Sequence, residues 1–241
     1  MLQHILYIVG LTIAAGACIP LGGLIASIER ISPNWLELEF RHFLIAFGGG
    51  ILLGAVAVVL VPEGKASMNG SFWAIPSILA GGVLFFAVER LLGLKKREAP
   101  QLMGVMLDFV PEAMALGGMI IVNPGLAPLL AMLIALQNLP EGFNAYRELR
   151  DHSGYSSRKT LTFMSGLALA GPVAGLMGYY FLASSPVLLG GIMLVASGGI
   201  LYLIFQDIAP QSRLEKHWMP PIGAVVGFCL ALFSNDLVSH L

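Results

Sequence analysis

The sequence predicts an all-α integral membrane protein with eight transmembrane helices. Three features of the 241-residue chain carry that expectation. Apolar residues make up 57% and charged residues only 11%, about half the charged share of an ordinary globular domain. Mean hydropathy is +0.83. Apolar runs of the roughly 20 residues needed to cross a bilayer core recur along the chain. They are continuous rather than alternating, which argues against a β-barrel.

The spans are expected at about 4–28, 43–63, 72–94, 101–122, 126–149, 160–183, 187–211 and 219–238. The first apolar run begins at once and is long enough to span, so it reads as a helix rather than a cleaved leader. Ser32-Pro33-Asn34 separates it from the second, and Asn69-Gly70-Ser71 separates the second from the third. The basic run Lys95-Lys96-Arg97 precedes the fourth. Asn123-Pro124-Gly125 makes a very short joint to the fifth, which therefore lies antiparallel beside it. The polar stretch 150–159 leads into the sixth, Ser184-Ser185-Pro186 into the seventh, and 212–218 into the eighth. No stretch is left over for a soluble domain, so residues 1–241 form one membrane domain.

Charge sets an expected orientation. Arg30, Arg41, Arg90, Lys95, Lys96, Arg97, Arg147, Arg150, Arg158, Lys159, Arg213 and Lys216 gather on one side, and Lys65 alone lies on the other. The basic side is expected in the cytoplasm of a multi-pass cell (inner or plasma) membrane protein, with both termini outside. A net charge of −1 gives no reason to expect nucleic-acid binding. Cys18 and Cys229 lie far apart in apolar runs and read as small packing residues.

The chemistry concentrates in the fourth and fifth spans. Asp108-Phe109-Val110-Pro111-Glu112 and Gln137-Asn138-Leu139-Pro140-Glu141-Gly142 share a pattern: a polar residue, then Pro-Glu one helical turn on. Residues at i and i+4 lie on one helix face, so Asp108 with Glu112 and Gln137 with Glu141 present oxygens along two adjoining faces. Pro111 donates nothing to the Leu107 carbonyl and Pro140 nothing to that of Leu136. Carboxylates at membrane depth mark ion or proton paths. With no Lys or Arg near them, the acids are expected to share a cation or protons.

These residues resemble the ZIP (Zrt-, Irt-like) family of divalent-metal transporters. Gln137-Asn138-Leu139-Pro140-Glu141-Gly142 is similar to its His-Asn-x-Pro-Glu-Gly type of signature, and Asp108 to Glu112 to the companion on the adjacent helix. Gly49-Gly50-Ile51-Leu52-Leu53-Gly54 with Leu60-Val61-Pro62-Glu63 resembles the second span. Phe86-Ala87-Val88-Glu89-Arg90 resembles the end of the third, and Gln206-Asp207-Ile208-Ala209-Pro210 the acid-plus-proline element of the seventh. The likeness covers nearly the whole chain. It implies a 3+2+3 helix arrangement, metal uptake towards the cytoplasm, sliding of spans one, four, five and six against the rest, a homodimer, and a primary metal site of Asp108, Glu112, Gln137 and Glu141.

Departures from that pattern narrow the expectation. Phe109 stands at an Asn ligand position, Asn138 replaces a stronger acid, and the sixth span has no acid near Gly171-Pro172, so one ion is expected rather than two. All five histidines (His4, His42, His152, His217 and His240) lie at span ends, in loops or at termini. Three carboxylates and an amide make an all-oxygen site. Zinc accepts such ligands, and manganese or iron suits them at least as well; zinc leads, with iron, manganese or cadmium as alternatives, each as transported ion and none as a cofactor. Glu63 is the expected entrance, and Gln206 and Asp207 the expected exit, with Asn138 a possible secondary ligand. Glycines in spans one and six (Gly10, Gly16, Gly22, Gly166, Gly171, Gly175 and Gly178) fit close approach of a moving bundle. Two rivals remain open: a proton-coupled carrier of another solute that uses the same acids, and a non-transporting homologue. The chain has neither His-Glu-x-x-His nor Gly-x-Ser-x-Gly, so it is not expected to be an enzyme.

Overall fold

A computed structural model describes residues 2–29, 34–92, 100–214 and 218–239, which are helical with no strand among them. Helix α1 is Leu2–Ile28. Helix α2 runs from Asn34–Ala55 through a π-helical turn, Val56–Leu60, into Val61–Ser67. Helix α3 is Ala74–Leu92, α4 Pro100–Val122 and α5 Ala127–Ser153. Helix α6 is Ser157–Ala168 followed, across Leu169, by Ala170–Leu182. Helix α7 runs from Pro186–Leu203 through a second π turn, Ile204–Ile208, into Ala209–Ser212, and α8 is Met219–Ser239. Arg30, Lys95, Lys96, Arg97, Lys216, His217 and His240 lie outside the described residues.

Seven of these helices are long and apolar enough to cross a membrane, so the protein is an all-helical, multi-pass membrane protein. The exception is α5. It has the length, but Gln137, Asn138, Glu141, Asn144, Arg147 and Glu148 make it too polar by the same measure. From the sequence it is expected to span like the others. Helix α5 starts within one residue of the expected bound and runs four residues further, to Ser153, whereas α2 begins about two and a half turns before expected, at Asn34 rather than 43, and also runs four residues further, to Ser67.

Helix contacts fall into two sets. Helix α1 packs on α5 and α6, and α4 packs on α6 and α5; α2 packs on α8 and α7, and α3 on α7. The sets meet where α2 crosses α5 and α4 crosses α7. Within each set the backbones nearly touch. A Cβ at Gly22 would overlap the Leu139 carbonyl oxygen, and one at Gly142 the Ile19 carbonyl, which interlocks α1 and α5. Gly117 and Gly178 do the same for α4 and α6, Gly50 and Gly227 for α2 and α8, and Gly81 and Gly198 for α3 and α7. Close backbone approach replaces the hydrophobic force that lipid cannot supply between helices. Between the sets glycines meet side chains rather than backbone: a Cβ at Gly48 would lie 3.4 Å from the Pro140 ring, and one at Gly118 2.6 Å from the Leu189 side chain. Of the glycines read as bundle-forming, Gly10 and Gly166 face open space.

Outward faces are apolar. Ile75, Leu79, Val83 and Phe86 form an exposed stripe on α3, a liability in water but a match for acyl chains. Cys229 also faces outward rather than packing inside, and Cys18 is half-buried; neither is bridged. Leu129, Leu130, Leu133, Ile134, Phe143 and Ala145 of α5 are buried in the core, so α5 meets protein where its neighbours meet lipid.

Gly142→Val should push α5 off α1 and cost about 1–3 kcal/mol by overpacking. Thermal unfolding of the detergent-solubilised protein measures it, with Gly166→Ala, which has free space around it, expected to melt like the wild type.

Candidate metal centre

Helices α4 and α5 turn over through a tight joint, in which the Asn123 amide donates to Met119 (2.7 Å) and that of Leu126 to Asn123 (3.2 Å). The two helices therefore return antiparallel in contact. Both run unbroken through their internal prolines, Pro111 and Pro140, so each proline removes a backbone donor without ending its helix.

Asp108, Glu112, Gln137 and Glu141 come together in the interior, respectively 2%, 0%, 0% and 8% exposed. Gln137 Nε2 donates to Glu112 Oε2 at 2.6 Å, directly linking α5 to α4. The remaining oxygens are short of donors. Asp108 Oδ1, Glu112 Oε1, Gln137 Oε1 and both Glu141 oxygens are buried with no hydrogen-bond partner. No Lys, Arg or His pairs with these three acids among the described residues. A buried acceptor without a donor costs about 1–3 kcal/mol, more when charged, and charges out of water are tolerated only when paired or metal-bound. The centre is thus rich in acceptors and poor in donors, which suits a cation.

The four are not a ready-made cage. Among the described residues no three His, Cys, Asp or Glu side chains stand as a cluster able to hold a metal ion. The group divides into two pairs. Glu112 and Gln137 are bonded to each other. Asp108 and Glu141 instead line a cavity of ≈ 20 Å³ with Gly104, Val105, Leu203, Asp207, Ile208 and Gln211, room for about one water-sized occupant. Drawing all four onto one ion requires the Gln137 amide to turn over, exchanging its N–H contact with Glu112 for Oε1 on the ion.

The other residues singled out in the sequence separate in space. Asp207 joins Asp108 and Glu141 at the cavity. The π turn that carries it inserts an extra residue into α7 and shifts the helix phase beyond. Its neighbour Gln206 does not line that cavity; its Nε2 reaches Glu89 Oε1 on α3 at 3.4 Å, so the expected exit pair is split. Asn138 points to α1, where Nδ2 donates to the Ala15 carbonyl at 3.0 Å, and its Oδ1 is unpartnered. Glu63, at the far end of α2, accepts from Asn123 Nδ2 at 3.1 Å and so ties α2 to the α4–α5 joint.

Three groupings were not read as functional from the sequence. Arg147, expected only as a boundary charge, is half-buried and ion-paired with both Glu29 after α1 and Glu37 on α2. Its guanidinium also sits 5.2 Å from the Phe143 ring centroid. Glu89 is buried and accepts from Tyr202 as well as Gln206. Asn144, 1% exposed, has an unpartnered Oδ1 one turn beyond Glu141. Its place at i+3 from Glu141 was the available signal; the partners of Arg147 and Glu89 lie too far along the chain for any spacing rule.

Phe109 is fully buried, its ring tip seated where Gly16 of α1 and Gly171 of α6 lack side chains. It points away from the acids and wedges three helices of one set together.

No protein-family model matches the chain, and no curated protein matches it.

Phe109→Ala should lower stability by about 3–5 kcal/mol, the usual cost of emptying a buried aromatic site. Ligand oxygens are untouched, so thermal unfolding should move strongly while metal affinity in the surviving folded fraction stays near wild type.

Proposed function

We propose that the protein is a divalent transition-metal transporter of the ZIP type, carrying ions into the cytoplasm through an oxygen-lined centre on α4 and α5. The observation that carries this reading is the set of buried, donor-less oxygens of Asp108, Glu112, Gln137 and Glu141. Proteins seldom bury such groups without a partner, and intramembrane acids of this kind mark ion paths. In this reading α5 crosses the membrane as an eighth span, sheltered by its neighbours. The two termini lie outside and the helices follow a 3+2+3 order. The protein works as a homodimer in the cell membrane.

The hypothesised cycle follows from these residues. Glu63 attracts the hydrated ion at the outer mouth, where its bond to Asn123 must first open. The ion exchanges water for the oxygens of Asp108, Glu112, Gln137 and Glu141, with Gln137 turned to offer its carbonyl. Asp207 then draws it towards the basic end of α7, through the cavity that Asp207 shares with Asp108 and Glu141. Alternating access comes from movement between the two helix sets. The side-chain contacts of Gly48 and Gly118 across the boundary, compared with the backbone-to-backbone glycine contacts inside each set, support that division. Oxygen ligands admit zinc, manganese and iron.

Glu112→Ala and Glu141→Ala should each abolish uptake of radiolabelled metal into proteoliposomes while leaving expression intact. Wild-type transport in both would remove the site. Carboxylates bind metal only when deprotonated, so affinity should weaken as pH falls. Proton-driven flux of an organic solute with no metal uptake would instead favour a proton-coupled carrier.

A further inference from the structure

The polar face of α5 continues past Glu141. Gln137, Glu141, Asn144 and Glu148 recur at i, i+4, i+7 and i+11, which keeps them on one side of the helix. All four are buried, at 0%, 8%, 1% and 8% exposure. Asn144 is oriented by its own backbone: Nδ2 donates to the Pro140 carbonyl at 2.9 Å. The planar amide then turns Oδ1 away from that carbonyl, and Oδ1 is buried without a partner. One turn back, both Glu141 oxygens are in the same condition. These are three acceptor atoms and no donor. With Glu141 ionised, a single water has two protons and leaves one acceptor unserved, whereas one cation serves all three.

We propose that Asn144 Oδ1 and the Glu141 carboxylate form a second cation station, one to two helical turns from Gln137 towards the basic end of α5, which shares Glu141 with the main site and onto which the transported metal steps as it leaves Asp108 and Glu112, before Asp207 draws it on. This rests on the transporter reading. The ligand class is a hard or borderline divalent ion that accepts a carboxylate and an amide oxygen. A neutral amide suits a station on the way out, because conduction needs sites that hold an ion weakly enough to release it. Glu148 continues the same face towards Arg147, which Glu29 and Glu37 neutralise.

The test uses Mn²⁺ with the full-length protein: equilibrium binding in detergent, and uptake into proteoliposomes. Asn144→Ala should keep the affinity of the main site within about threefold while uptake slows about tenfold or more, since only the onward step has lost a ligand. Asn144→Asp, of the same size, should bind Mn²⁺ about tenfold more tightly and release it more slowly, because a carboxylate replaces an amide. Uptake by Asn144→Ala at the wild-type rate would overturn the station. So would a loss of binding and thermal stability together in both variants, which would make Asn144 a packing residue holding Pro140. Absence of both Mn²⁺ binding and uptake in the wild type would instead overturn the transporter reading itself.

Discussion

Everything in this architecture depends on keeping α5 out of lipid. Its central turns carry Gln137, Asn138, Glu141 and Asn144, and apolar solvent would leave each of them short of hydrogen bonds. The other helices solve this by surrounding it: α1 interlocks at Gly22 and Gly142, α4 lies antiparallel through the short joint, and α2 crosses near Gly48 and Pro140. Burial protects the polar groups from lipid but removes water from them as well. The oxygens of Asp108, Glu112 and Glu141 then need a positive charge more than they need each other.

The distribution of glycine gives that enclosure its mechanical character. Backbone-to-backbone contacts sit inside each helix set, where a single added carbon would collide with a carbonyl. Contacts of that kind cannot slide by fractions of a turn without loss, which favours each set keeping its internal packing. Side chains fill the boundary between the sets, and polar links cross it at both ends: Glu63 with Asn123 at one, Glu37 with Arg147 at the other. The proposed movement between the sets and the close packing within them would both follow from this one packing pattern.

Much of this was legible in the sequence. Seven apolar helices and their order follow from hydropathy and turn residues, and α5 follows from its length and flanking turns but not from hydropathy. The placing of Asp108 with Glu112 and of Gln137 with Glu141 on shared helix faces follows from helical spacing alone. The division of those four into a bonded pair and a cavity-lining pair did not follow, because spacing places side chains on a face without saying which partner an amide chooses. Gln206 and Asp207 illustrate a second limit. Adjacent in sequence, they part company in space, and the π turn that carries them breaks the 3.6-residue period on which a sequence reading relies. The ion pairs of Arg147 join residues more than a hundred positions apart, and only the folded chain brings them together.

The central claim is that a divalent ion sits among carboxylate and amide oxygens at the crossing of α4 and α5. X-ray absorption spectroscopy of the purified protein loaded with one equivalent of zinc tests it most directly. The account predicts a shell of oxygen atoms at about 2.0–2.2 Å, with neither sulfur nor imidazole scattering, that changes when Glu112 or Glu141 is replaced by alanine. A sulfur or histidine shell, or a spectrum indifferent to both substitutions, would contradict it.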